Sequence, residues 1–400
     1  MINLERQQSM KNLENSIGHS QAAAPEPAQP RPLIPSAPAP ALSKLYALRR
    51  LAGKLSRRCK KLAGKPDNSP WVLRPRTRGR ETTFVDFLFG LDYLSPNSRL
   101  VEMFHEAMSP YGVSVLLVNQ SNVDRVIAEI DRGWLQPHVL LDLASCINPR
   151  FNDLANAASK QGIYVIDDPR DINTWTLKSS SHPRLERAGL PLPPTVIFAK
   201  GSPDRELTPS EQERIGPRAV IKPSFGYANR GVVVGAEPTA PNISKARDFN
   251  RDDDWLVQKM ISWTSFGSRP AYLRAYQVLG HRSLMWWSKQ DDLDRYELCT
   301  WEDLRKYDLL PAIEIIDRIA AVSGVDFFSS EIAITSETGP GRFVLIDQIN
   351  DQCDMDPEDR PGTTAVPEPW VKWVCGRMAD FVWRKKNGIA SDSTKTLTLF

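Results

Sequence analysis

From residue 98 to residue 166 the apolar positions switch repeatedly between two spacings. Helical spacing marks 98–108, 123–132 and 149–161, and short apolar runs at 113–118, 139–143 and 163–166 read as strands between them. That alternation predicts an α/β unit with a mostly parallel sheet over residues 82–170. It has no Gly-x-Gly-x-x-Gly turn, so no dinucleotide is assigned to it. Residues 171–195 read as linker helices that stop at Gly189, followed by a proline-rich entry to a strand. His182 precedes Pro183 in what reads as a turn and is given no role.

Further along, 219–222 and 232–234 are two short apolar runs around a loop with Gly226 and Gly231, the pattern of a hairpin. The stretches 210–215 and 244–248 are helical or turn-like. The segment 311–322 forms an amphipathic helix through Ile313, Ile316, Ile319 and Ala320. A second, 369–383, carries Trp370, Trp373, Val374, Met378, Phe381 and Val382, whose aromatics suit a core better than a cofactor box. Residues 386–400 read as a frayed tail.

The first 81 residues differ in kind. Residues 1–42 are too rich in Ala and Pro to build a core and are expected to be disordered. In 43–65, Leu45, Leu48, Leu51, Leu55 and Leu62 lie near helical spacing with basic residues between them. The result is a basic amphipathic helix, either solvated on a tether or facing an anionic partner such as a membrane surface, nucleic acid or an acidic protein. Arg74, Arg76, Arg78 and Arg80 continue the positive run. Residues 1–80 hold sixteen Lys/Arg and four Asp/Glu, so the rest of the chain is net acidic although the whole carries a formal +3.

Composition adds limits. Four hundred residues suit two or three domains. No apolar stretch approaches the roughly 18 residues of a membrane span, and the first residues lack the apolar core of a secretory signal. The five cysteines, Cys59, Cys146, Cys299, Cys353 and Cys375, have no metal-ligand spacing and are expected to be free thiols in the cytoplasm.

The chemistry gathers in five segments: Ala-Val-Ile-Lys (219–222) with its glycine loop, Trp-Leu-Val-Gln-Lys-Met-Ile (255–261), Tyr-Leu-Arg-Ala-Tyr-Gln-Val-Leu-Gly (272–280), Ser-Ser-Glu-Ile-Ala-Ile (329–334) and Arg-Phe-Val-Leu-Ile-Asp-Gln-Ile-Asn (342–350). A lysine beside a loop of closely approachable N–H groups can hold phosphate, or it can be a solvated lysine on an ordinary hairpin. The order of the five resembles the ATP-grasp superfamily, over about residues 82–385. The resemblance implies an N-terminal α/β domain (82–170) that helps form the acceptor cleft. The linker (171–195) then leads to a two-subdomain ATP-grasp fold, with a small subdomain at 196–261 and a large one at 262–385.

It also implies roles. Lys178, Lys222 and the loop from Gly226 to Gly231 would hold the phosphates of ATP. Tyr227, Asn229 and Arg230 are bulkier than the small residues usual there, so the loop is stiffer or Arg230 itself reaches phosphate. Gln258, Lys259 and Ile261 would meet adenine, although an edge-strand glutamine explains Gln258 equally. Arg274 would contact phosphate or an acyl phosphate, with Arg282 and Lys289 as weaker candidates. Glu331 and Asn350, with Asp347 or Gln348, would hold Mg²⁺. Strand alternation puts Gln348 and Asn350 on one face and Asp347 on the other. The family usually has Glu-x-Asn, so glutamine stands where a carboxylate is expected. Asp347, Asp351 or Asp354 restores the charge if the strand bulges or ends. The function implied is an ATP-dependent carboxylate–amine or carboxylate–thiol ligase. Its rivals are an ATP-grasp kinase and a nucleotide-binding protein without turnover. The carboxylate, the nucleophile and the oligomeric state, a homo-oligomer included, are left open.

Overall fold

A computed structural model describes residues 82–400, except 93, 95–97, 146–147, 227–229, 267–268, 291–292, 359–364 and 391–395. The Ala/Pro-rich stretch and the basic segment lie outside the described residues. Four parallel strands come first: β1 (Phe87–Gly90), β2 (Val115–Val118), β3 (Val139–Asp142) and β4 (Tyr164–Ile166), in the spatial order β2-β1-β3-β4. Helices α1 (Arg99–Met108), α2 (Val123–Asp131) and α3 (Arg150–Lys160) connect them. The expected alternation is present, to within a residue or two at each end. The strand it does not single out is β1. Phe87, Leu88 and Phe89 are all fully buried, so the run has no polar phase to reveal its period.

Two helices, α4 (Pro169–Thr176) and α5 (Lys178–Arg187), lead to a four-stranded antiparallel sheet. Its strands are β5 (Thr195–Phe198), β6 (Ala219–Pro223), β7 (Val233–Ala236) and β8 (Trp255–Lys259), ordered β5-β8-β6-β7. Thr208 and Glu211 form a capping box that starts α6 (Pro209–Ile215), and α7 (Ala240–Arg247) precedes β8. Ile215, Ile243 and Trp255 share the core of this unit.

The larger antiparallel sheet contains β9 (Tyr272–Val278), β10 (His281–Gln290), β11 (Leu293–Leu298), β12 (Phe327–Ile334) and β13 (Phe343–Asn350), ordered β11-β10-β9-β12-β13. Alternation sends Leu273, Ala275, Leu284 and Trp286 to the face covered by α8 (Leu310–Ser323), where they meet Ile313, Ile316 and Ile319. Arg274 and Glu331 therefore point to the opposite face.

The last helix, α9 (Glu368–Lys386), packs on the first unit. Trp370, Val374, Met378 and Val382 share one core with Phe87, Phe89 and Phe104. Lys386 Nζ ties its end to Asp86 Oδ2 at 3.0 Å, just ahead of β1. The expected frayed tail is instead docked where it is described. β14 (Leu397–Thr398) pairs in parallel with β10, and the Phe400 N–H donates to the Cys299 carbonyl at 3.2 Å. No described helix is long and apolar enough to cross a membrane.

Candidate functional site

The pairing of β12 with β13 sets the site. Ile334, Ala333 and Ile332 face Phe343, Val344 and Leu345 in step. The register then slips twice, so that Glu331 faces Asp347 and Ser329 faces Asn350. Extra residues on β13, Ile346 first and then one within 348–349, take up the slips as bulges. Each bulge reverses which side chains point to which face. Asp347 and Asn350 thus join Glu331 on one face. Regular alternation had grouped Gln348 with Asn350, and the structure corrects that. Gln348 turns into the interior, 1% exposed, with its Nε2 3.2 Å from Nδ1 of His182.

The bulge also recruits the lysines. Lys222, near the end of β6 and 6% exposed, donates from Nζ to the Ile346 carbonyl at 2.9 Å and lies 3.6 Å from Asp347 Oδ1. Lys178, the first residue of α5, lies 3.6 Å from the same oxygen and donates to the Gly226 carbonyl at 3.3 Å. Helix α5 is seated there by its own start. The Lys178 N–H donates to the Ser224 carbonyl, and the Ser179 N–H donates to Ser224 Oγ at 3.0 Å. Asp253 secures the loop by accepting from the Phe225 N–H at 2.8 Å.

The charges are mutually adjusted. Burial pushes the Lys222 ammonium below its ordinary pKa, and Asp347 opposes that shift while Lys178 adds to it. Burial alone would raise the Asp347 carboxyl, but Lys178, Lys222 and Arg274 outweigh it and hold the group below its usual range. Across the sheet, Arg274 faces Glu331 and pairs with it, Nη2 to Oε1, at 3.0 Å. Its guanidinium lies 5.6 Å from the Trp287 ring centroid and 6.0 Å from that of Tyr296.

Other expected participants fare differently. Gln258 sits in a central strand of its sheet, not at an edge, and its Nε2 donates to Thr195 Oγ1 at 3.2 Å. The exposed Lys259 uses its backbone N–H on the Pro194 carbonyl at 2.8 Å, and Ile261 is half-buried just beyond. Gly231 has φ +74°, and a Cβ there would stand 2.6 Å from the Phe249 ring. The Arg230 guanidinium lies 5.9 Å over that ring, and residues 227–229 are outside the described set. Arg282 is taken by Asp317 of α8 and by the Gly280 carbonyl. The side chain of Lys289 lies outside the described residues. Asp354 Oδ1 accepts from the Asp356 N–H, and burial raises the Asp351 carboxyl to about 6.

His182 was not anticipated. It lies within α5 and is buried. The helix continues through Pro183, with its start seated on the loop at Ser224. The four-residue spacing from Lys178 was the available signal.

Among the described residues, no group of three His, Cys, Asp or Glu is arranged for a metal. The donors that share one face, Glu331, Asp347 and the amide of Asn350, are hard oxygens, and Asp347 Oδ1 already lies 3.6 Å from both lysines. That set fits Mg²⁺, which takes one or two carboxylates and keeps several waters. Cavities of about 440 and 450 Å³ border Phe266 and include none of these residues.

No protein-family model matches the chain, and no curated protein does. Solved structures do match. A RimK-domain ATP-grasp protein from Sphaerobacter thermophilus DSM 20745 aligns with a TM-score of 0.53 at 17% identity, over 74% of this chain and 99% of that one. The D-cycloserine synthetase DcsG aligns with a TM-score of 0.50 at 13% identity, over 75% of this chain and 100% of that one. At such identities the likeness establishes the fold alone: an α/β unit of parallel strands followed by antiparallel sheets, as in the ATP-grasp fold.

Proposed function

On this ATP-grasp framework, we propose that the protein is an ATP-dependent ligase that activates a carboxylate as an acyl phosphate for attack by an amine or thiol. The carrying observation is the convergence of Lys178 and Lys222, from two different elements, on one oxygen of Asp347, each at 3.6 Å. Two ammoniums beside a partly exposed carboxylate match an incoming unit that is itself mixed in charge, a polyphosphate with its cation.

In this reading Lys178, Lys222 and the loop that starts at Gly226 bind the phosphates. Gln258, Lys259 and Ile261 border the adenine. Glu331, Asp347 and Asn350 would hold Mg²⁺, which when bound neutralises phosphate charge. Arg274 lies against Glu331 and stabilises the negative charge that builds on the transferred phosphoryl oxygens. A substrate carboxylate oxygen attacks the γ-phosphorus, the bond to the β–γ bridging oxygen breaks, and ADP leaves. The amine or thiol then attacks the carbonyl carbon, inorganic phosphate leaves, and the nucleophile's proton passes to phosphate or solvent. No protein nucleophile is needed. Cys299, Cys353 and Cys375 are buried, and burial raises the thiols of Cys353 and Cys375 well above their ordinary values.

The test is incubation with Mg–ATP, hydroxylamine and a panel of carboxylates. ADP together with an acyl hydroxamate is the expected result. A phosphorylated hydroxyl product in place of the hydroxamate overturns the ligase reading in favour of a kinase. Thermal stabilisation by ATP without any ADP overturns it in favour of a binding protein.

A further inference from the structure

Three successive residues of β13 are each held by a different contact. The Ile346 carbonyl accepts from Lys222, the Asp347 carboxylate faces Lys178 and Lys222, and the Gln348 amide meets His182. Lys178 and His182 are four residues apart on α5, so they lie on the same side of the helix. That side meets β13 at two adjacent points, Lys178 with Asp347 and His182 with Gln348. His182 is 3% exposed and Gln348 1% exposed.

The contact is poorly satisfied as hydrogen bonding goes. His182 Nε2 and Gln348 Oε1 are buried without partners. Bare polar atoms in an interior are costly, and an apolar pair would fill the same space at less cost. The 3.2 Å contact between His182 and Gln348 fixes where the two side chains sit. A carboxylate at 348 would sit against the imidazole and near Lys222, where it would compete with Asp347 for the lysines.

We propose that His182 and Gln348 form a neutral clasp that sets Asp347 against Lys178, which makes Gln348 a positioning residue rather than a metal ligand. The proposal rests on the ligase reading, which gives that cluster to Mg–ATP. Through the clasp, helix α5 is tied to the bulged strand, which holds Lys178 and Asp347 at their 3.6 Å separation.

The experiment is calorimetric titration of the full chain with Mg²⁺ and a non-hydrolysable ATP analogue, run beside Gln348→Glu, Gln348→Ala, His182→Gln and the double variant His182→Ala/Gln348→Ala. The clasp predicts that Gln348→Glu and Gln348→Ala weaken binding by about tenfold or more. His182→Gln, which keeps an amide contact, stays within about threefold, and the double variant binds no worse than Gln348→Ala. Gln348→Glu binding as tightly as the wild type, or more tightly, overturns the proposal, because that is what a ligand at 348 would do. Selective ¹⁵N labelling of the histidines gives a second readout. The His182 ring is expected to be neutral with a hydrogen-bonded Nδ1, and to shift in Gln348→Ala while the other histidine signals stay in place. An unmoved His182 signal overturns the clasp. A wild type that binds no Mg–ATP removes the ligase reading and this inference together, whereas binding that none of the variants alters removes the inference alone.

Discussion

Lys222 Nζ, on a strand of the smaller antiparallel sheet, stands 3.6 Å from Asp347 Oδ1, on the bulged strand of the larger one. The ammonium is otherwise engaged by the Ile346 carbonyl. Replacing Lys222 by Met keeps the packed stem and removes the charge. The expected outcome is a loss of ATP-analogue affinity of about tenfold to a hundredfold, measured by calorimetry, with a lower thermal midpoint of the free protein as the Ile346 carbonyl loses its donor. Unchanged affinity would remove Lys222 from the phosphate site.

Arg274 and Glu331 form a third ion pair of the site, beside those of Lys178 and Lys222 with Asp347. Arg274→Lys retains charge but not the two-pronged guanidinium. It is expected to lower the rate of ADP formation by about 10²–10³ while nucleotide affinity changes by less than about fivefold. The check is a steady-state comparison on whichever carboxylate supports turnover. A rise in KM for ATP at constant kcat would argue for plain binding instead.

His182 carries a pH signature. Burial and the charge of Lys222 lower its pKa to about 4, against an ordinary 6.5. Between those values the unfolded chain holds the extra proton, so stability rises as pH increases through the window. His182→Gln should flatten the urea midpoint between pH 4 and 6.5, removing a change of about 2–3 kcal/mol. Asp347 acts lower. Its depressed pKa adds stability that is present above the unfolded value of about 4 and is lost as pH falls below it, so Asp347→Asn should soften only that acid limb.

Gly231 tests the loop. Its φ of +74° disfavours any side chain, and a methyl would meet Phe249 at 2.6 Å. Gly231→Ala should cost about 1–3 kcal/mol in thermal or urea unfolding. Adding Phe249→Ala should return only the steric part, leaving the backbone penalty of about 1 kcal/mol. Full recovery in the double variant would show that contact, not conformation, sets the cost.

The parts of the fold read correctly from the sequence have a clean period. The alternating segments over residues 98–166 each show one, and so do Ile313, Ile316 and Ile319 on α8. β1 does not, because burial on both faces erases the polar phase. The residue types were legible, and Lys178, Lys222, Arg274, Glu331 and Asp347 lie together in neighbouring ion pairs. Which neighbour of Asp347 shares its face was not legible. Bulges arise from the fit between two strands and the lysine that caps the Ile346 carbonyl, and neither is written locally. His182 was hidden by Pro183, since a proline normally argues for a break and here the helix runs through it.

Helix α9 finishes the core that β1 begins, with Trp370, Val374 and Met378 packed against Phe87 and Phe104. During synthesis the opening sheet therefore emerges from the ribosome with that side only partly covered, by α1, and waits for almost the entire chain before its core can close. A premature stop anywhere ahead of residue 368 leaves that core without Trp370, Val374, Met378 and Val382. Such fragments are the expected substrates of chaperones and proteases, even when Lys178, Lys222, Arg274, Glu331 and Asp347 have all already been made.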